Sequence, residues 1–317
     1  LDVTVFESND QIGGKIVEQY LGPFRFDMGP SVFTEPALMQ ALLKGLDPNA
    51  EFAYHQLSES CRYFFNDGQC VTLPVGKDKV IETLHTKFNE DPKKAKKYLD
   101  RMERNYQAIY PVFIKISLHR LKHLIGKPLL GALARIFKYG LHQNMHQQNQ
   151  QFFQNPKVVK IFNRLATYNG SSPFAAPAML NIISQLEFNE GPAMPIGGMA
   201  QITKSAYTLA AQYGVNFHTN ERVCSIQHRN GRVVGLHTEK SSYNFDIVVS
   251  NMDIHYTYEK LLSHIETPKR LLNQEKSSSA VVFYWGISKQ FEQLGVHNIF
   301  NCKSMKQEIS LSAFLAK

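Results

Sequence analysis

Glu7 closes the short strand-like run in which Val3, Val5 and Phe6 are β-branched or aromatic, and it is followed at once by the turn formers Ser8, Asn9 and Asp10. An acid at the end of such a strand can accept the hydroxyls of a ribose, provided that a glycine turn lies roughly 20 residues before it to cradle a diphosphate. Taken alone, Glu7 is equally an ordinary surface carboxylate. The residues after it narrow the choice. Gly13-Gly14-Lys15 supplies two positions where backbone can approach a ligand closely, then a cation that can meet a phosphate. In "YLGPFRFDMGPS" (20–31), Gly22-Pro23 turns the chain, Phe24 and Phe26 alternate with Arg25, and Gly29-Pro30-Ser31 forms a second close-approach turn.

Other chemistries find no support. No Ser/His/Asp set or carboxylate pair can be defended from spacing, and the twelve histidines show no metal-ligand pattern. Cys61, Cys70, Cys224 and Cys302 are scattered, with no C-x-x-C pair, and suit a reducing compartment. No metal site is expected.

The elements that must position these residues follow from periodicity. "TEPALMQALLKGL" (34–46) reads as a helix with Thr34 as its cap and Pro36 in the first turn. Residues 77–108 read as two charged helices around Asp91-Pro92. "QITKSAYTLAAQYG" (201–214) places Ile202, Ala206, Leu209 and Tyr213 on one helical face and stops at Gly214. Asn230-Gly231 between two strand-like runs is a hairpin signal. "DIVVSNMD" (246–253) is expected to be a short buried parallel strand ending in a polar turn.

At 317 residues, with 43% hydrophobic and 20% charged residues, the chain can bury a sizeable core. It has no run of 18 apolar residues. The net charge of +8 is uneven: between Glu103 and Glu187 there is no acid, while ten cations from Arg104 to Arg164 fall in that interval. Within it, "YPVFIKISLHRLKHLIGKPLLGALARIFKYG" (110–140) interleaves lysine and arginine with apolar residues at helical spacing, broken at Gly126-Lys127-Pro128. Two basic amphipathic helices are the natural reading, and a membrane surface would suit them. Packing of the apolar face on the protein itself explains the pattern as well. No nucleic-acid module accompanies the patch, so no nucleic acid is expected as a partner.

Together, the strand-end acid, the paired glycines with a following cation, and "FRFDMGPS" resemble the FAD-binding amine-oxidase-like flavoproteins, and among them the bacterial phytoene and carotenoid desaturases. Four further stretches resemble the carotenoid-desaturase branch in kind and order: "NRLATYNGSSPFAAPAMLNIISQLE" (163–187), "PIGGMAQI" (195–202), "DIVVSNMD" (246–253) and "SSSAVVFYWGI" (277–287).

The resemblance implies an α/β protein, with a split, Rossmann-like FAD-binding domain over 1–75 and 190–255. A substrate-binding domain with basic membrane-facing helices would take 76–189 and 256–317. It also implies an N-terminal glycine loop and a C-terminal flavin segment that these 317 residues do not contain, so the chain is expected to be an incomplete desaturase. Lys15 stands where arginine is commoner, keeping charge but losing a bidentate contact. By the same resemblance, Glu7 would hold the FAD ribose, and Gly13, Gly14 and Lys15 would face the pyrophosphate. Gly29, Pro30 and Ser31 would approach the isoalloxazine, and the Val223 backbone would meet the adenine. Asn251 and Met252 would close over the nucleotide, although a plain strand terminus explains them equally. Pro195 to Gly198 would return beside the flavin, or simply turn the chain.

The implied reaction removes two hydrogens from adjacent carbons of a polyene such as phytoene or a hydroxylated carotenoid, with a quinone or oxygen as final acceptor. Arg164 is the charged residue nominated near substrate or flavin, with a structural ion pair as its alternative. The expected location is cytoplasmic and peripheral on the membrane. Two other readings stay open: an amine-oxidase-like flavoenzyme acting on a polar amine, and a noncatalytic lipid-binding protein that has lost the flavin.

Overall fold

Residues 1–113, 139–274 and 280–301 are described by a computed structural model of the chain. Contacts divide the protein into two units, Leu1–His55 with Met194–Lys276, and Gln56–Ala193 with Ser277–Lys317. Each unit is discontinuous in sequence. The expected boundary at 75/76 therefore moves back to 55/56, and the one at 255/256 moves to 276/277.

The first unit opens with β1 (Thr4–Phe6), β2 (Glu18–Leu21), β3 (Phe24–Asp27) and α1 (Pro36–Leu46). The expected cap of α1 is corrected from Thr34 to Glu35, which sits at φ 56° and makes no side-chain cap; the fixed φ of Pro36 starts the helix instead. The chain leaves this unit through β4 (Tyr54–Gln56).

In the second unit, β5 (Glu59–Phe64) and β6 (Cys70–Pro74) form an antiparallel hairpin. Its inward side chains Tyr63, Val71 and Leu73 are buried in the core that also takes the next two helices, so the hairpin belongs here and not with the preceding strands. Those helices, α2 (Lys77–Phe88) and α3 (Pro92–Phe113), break at Asp91-Pro92 as their sequence predicts. Helix α2 buries Val80, Leu84 and Phe88 at four-residue spacing. After them come α4 (Met145–Phe152) and α5 (Pro156–Asn163), each started by an asparagine cap, Asn144 and Asn155. Tyr98, Phe153, Phe162 and Phe188 interlock in the core, with Phe153 stacked on Phe162 at 4.5 Å and Phe188 edge-on to Phe162 at 5.3 Å. Beyond α5 the backbone tightens into a 3₁₀ turn (Arg164–Asn169), then widens into a π turn (Gln185–Glu190) before β7 (Ala193–Pro195).

The chain then returns to the first unit with α6 (Gln201–Gln212) and β8 (Asn216–His218), which pairs in parallel with β1. Strands β9 (Val223–Arg229), β10 (Arg232–Thr238) and β11 (Ser242–Asn244) form an antiparallel sheet. Asn230 and Gly231 turn the first hairpin at φ 52° and 74°, the left-handed pair that a two-residue turn requires. The strand expected over 246–253 does not form. Ile247 and Val249 stand 74% and 86% exposed, because no neighbouring strand among the described residues offers them a ladder. The last described strand, β12 (Asn298–Phe300), belongs to the second unit and runs parallel to β5.

The basic stretch 110–140 falls outside the described residues from 114 to 138, as does Cys302. Among the described residues, no helix is long and apolar enough to cross a membrane and no group of three metal-ligating side chains occurs.

Candidate functional site

The first unit contains the predicted cofactor-binding residues, with Glu7 at the end of β1. Glu7 carries on the parallel pairing, its N–H donating to the His218 carbonyl at 2.8 Å. Its carboxylate is held through one oxygen: Oε1 accepts from the Asn9 backbone N–H and the Asn9 side chain, both at 2.8 Å, and from Ser8 at 3.2 Å. No described residue donates to Oε2. The acid is thus oriented by its own turn and presents a second oxygen, as ribose recognition requires.

A carboxylate that the sequence did not single out anchors this corner. Glu221 is buried and uses both oxygens. Oε1 accepts from Thr238 at 2.8 Å and Tyr243 at 2.9 Å, while Oε2 lies 3.2 Å from His218 Nδ1. The Thr238 hydroxyl, followed by Tyr243 and His218, holds the Glu221 carboxyl below the usual carboxylate range. The Glu221 N–H donates to the Glu7 carbonyl at 3.0 Å, which brings Val223, two residues later, close to the acid in the chain path. Phe6 packs against His218 and Tyr243 beneath the same corner. Glu221 was not legible because its partners come from three different strands, β8 just before it and β10 and β11 after it.

The glycine turns of the same unit are pinned to each other. Gly13 (φ 133°) has no room for a Cβ, which would fall 2.5 Å from the Ile16 carbonyl; Gly29 (φ 88°) is tighter still, 2.1 Å from the Lys15 carbonyl. Met28 N–H donates to the Val17 carbonyl, and Thr203 in the first turn of α6 donates to the Ile16 carbonyl at 3.1 Å. Gly14, by contrast, faces open space, and Lys15, Gly29, Pro30 and Ser31 are exposed. The backbone is therefore compressed from behind and open in front, a cradle of the kind that a diphosphate or a flat ring can approach.

Arg25 ties the turn at Pro195 to Gly198 into the same assembly. Its guanidinium donates to Glu18 (2.7 Å), Asp27 (2.9 Å) and the Gly197 carbonyl (2.6 Å), and Lys204 also pairs with Glu18. Hydrogen bonds from Lys204 and then Arg25 hold the Glu18 carboxyl low. A Cβ on Gly198 would lie 2.2 Å from Arg25 Nη2, so only glycine fits. Asn251 and Met252 are exposed, and no hydrogen bond joins them to Glu7 or the glycine turns among the described residues.

Arg164 lies in the second unit. Its Nε donates to the Tyr63 hydroxyl at 3.0 Å and its Nη2 pairs with Glu187 Oε1. Burial pulls the guanidinium pKa down, but Glu187, Tyr63 and Cys61 more than offset it, so Arg164 stays charged. Burial pushes the Cys61 thiol up to about 11, leaving it protonated and unreactive at neutral pH.

Residues 1–284 match the family described as flavin containing amine oxidoreductase. The chain is 40% identical over 308 residues to a 1-hydroxycarotenoid 3,4-desaturase of Flavobacterium sp. (strain P99-3), covering 96% of this chain and 63% of that protein. It is 30% identical over 315 residues to a 4,4'-diapolycopene oxygenase of Methylomonas sp., covering 94% and 60%. The chain thus spans about three fifths of the curated relatives it matches. Among solved structures, an oxidoreductase from Methanosarcina mazei superposes with a TM-score of 0.52 at 16% identity, over 84% of this chain and 56% of that one. A putrescine oxidase bound to putrescine gives 0.53 at 12% identity, over 81% and 53%. These two similarities describe the fold.

Proposed function

Because the chain belongs to the flavin containing amine oxidoreductase family, for which FAD is the implied cofactor, we propose that it serves FAD-dependent desaturation of a carotenoid, with a hydroxylated acyclic carotenoid as substrate. The observation that carries this reading is the front of the first unit. Glu7 offers a free, oriented carboxylate oxygen, and the same unit carries glycine turns in which Gly13 and Gly29 are too crowded for any side chain. These residues fit the cofactor: Glu7 would take the ribose, Gly13, Gly14 and Lys15 the pyrophosphate, and Gly29 to Ser31 the ring system. The Val223 backbone would meet the adenine, and Asn251 and Met252 would border the nucleotide.

The flavin, when bound, supplies the two-electron oxidation; the chain supplies binding, orientation and exclusion of water. Arg25, Glu18 and Lys204 fix the returning turn at 195–198, so that the backbone presented to the ring does not depend on loop order. A polyene offers no charged group to grip, so apolar contact must do most of the holding. Arg164 is proposed on the substrate side, as the residue that fixes Glu187. The basic stretch 110–140 would meet a membrane surface, where such a substrate dissolves, placing the protein peripherally on the cytoplasmic face, with a quinone or oxygen as final acceptor.

The test is turnover by the full-length gene product in vesicles containing an acyclic hydroxylated carotenoid. The expected result is a red shift of the carotenoid spectrum as conjugation lengthens. Oxidation of small amines with the carotenoid left unchanged would contradict the reading.

A further inference from the structure

Three glutamates are buried among the described residues: Glu90, Glu187 and Glu221. Glu90 accepts backbone N–H donors on both oxygens, from Asn155 on Oε1 and Gln154 on Oε2, and Glu221 likewise engages both. Glu187 differs. Ser60 (3.0 Å), Cys61 (3.8 Å) and Arg164 all donate to Oε1, while Oε2 is buried with no partner at hydrogen-bond distance; the Tyr168 phenol, pushed up by burial and then by the Glu187 carboxylate, is the neighbouring protein donor. Folded proteins rarely leave such an acceptor empty, since the water it lost has not been replaced.

The surroundings are built to hold that oxygen in place. Glu187 is carried by the π turn Gln185–Glu190, a backbone irregularity that recurs at functional sites. Arg164 and Tyr168 sit on one 3₁₀ turn, and the guanidinium lies between two rings, 5.8 Å from the centre of Tyr63 and 5.9 Å from that of Tyr168. Tyr63 is fully buried, whereas Tyr168 is 37% exposed, so Tyr168 is the outermost member of the cluster. An ion pair needed only for packing could be replaced by apolar residues at little cost. This one keeps an oriented carboxylate oxygen behind one partly exposed phenol.

We propose that Glu187 Oε2 accepts a hydrogen bond from a hydroxyl group on the substrate, and that Arg164 positions it. The cluster thereby recognises the oxygenated end of an otherwise apolar polyene. This rests on the carotenoid reading above and adds to it the group that distinguishes one polyene from another. A hydroxyl taken out of water on binding needs an acceptor to replace the water it loses.

The test uses the full-length protein and two probes delivered from phosphatidylcholine vesicles: an acyclic C40 polyene with a terminal tertiary hydroxyl, and the same polyene without it. Their dissociation constants are read from the absorbance shift on binding. Wild type is expected to prefer the hydroxylated probe roughly tenfold. The double variant Arg164→Leu/Glu187→Leu, which leaves no lone buried charge, should lose that preference while binding the other probe as before. A folded double variant that keeps the preference overturns the proposal. Should the double variant not fold, equal affinity of wild type for the two probes overturns it equally. Wild type that binds neither probe defeats the polyene reading and this proposal with it, whereas equal binding of both leaves the polyene reading standing.

Discussion

Glu7 and Glu221 are neighbours with opposite designs. Glu7 satisfies one oxygen locally and offers the other; Glu221 spends both on His218, Thr238 and Tyr243. Glu7→Gln should therefore leave folding intact but weaken FAD binding about tenfold, through loss of a charge-assisted hydrogen bond, as read by flavin fluorescence titration. An unchanged affinity would remove Glu7 from the site. For Glu221 the prediction concerns pH. Its folded pKa lies below the unfolded value, so its stabilisation is present above the ordinary carboxylate pKa and is lost as pH falls through the folded value. Melting temperature followed from pH 6 to about 3 should fall less steeply in Glu221→Gln than in wild type; parallel curves would refute the assignment.

The two glycine turns give a second comparison at this scale. Gly22 (φ 59°) has open space where a Cβ would go, whereas at Gly29 the Lys15 carbonyl stands 2.1 Å away. Gly29→Ala should cost on the order of 1–3 kcal/mol and Gly22→Ala clearly less, in urea denaturation of the full-length protein. Equal costs would mean that strain at positive φ, and not crowding behind the cradle, explains Gly29.

At the scale of elements, legibility tracked how local the determinants are. The Asn230-Gly231 hairpin, the break at Asp91-Pro92 and the stop of α6 before Gly214 each depend on residues within one turn, and each is where the sequence placed it. "DIVVS" misled because a continuous apolar run implies a buried strand only if partner strands flank it, and the run itself carries no information about them. The same limit hid Glu187: it lies 23 residues from Arg164, and nothing in "ISQLE" marks its glutamate as the partner. The hairpin β5–β6 was assigned to the wrong unit because its buried face meets α2, a tertiary fact. In that core Phe162 touches Tyr98, Phe153 and Phe188. Phe162→Ala should cost about 3–5 kcal/mol by urea denaturation. A loss under about 1 kcal/mol would mean that the aromatic cluster collapses around the gap, and that it does not hold the second unit together.

At the scale of the whole molecule, the charge pattern and the two-unit organisation carry the account. The six cations of the stretch 110–140, which lie outside the described residues, are proposed to meet anionic lipid. Cosedimentation of the full-length protein with vesicles containing phosphatidylserine should fall sharply as salt rises from 0.05 to about 0.5 M, the range over which surface attraction is screened. Binding indifferent to both lipid charge and salt would assign the cations to solubility instead. The α/β architecture and the family were legible from short motifs taken in order. The extents of the two units were not legible to the residue, because tertiary contacts draw their boundaries.

The central claim is that the first unit holds FAD. The full-length gene product, purified under mild conditions, should carry close to one flavin per chain, released on denaturation as FAD, and Glu7→Gln should carry less. Protein that is colourless as purified and fails to take up added FAD would contradict the claim, and the lipid-binding alternative would then lead.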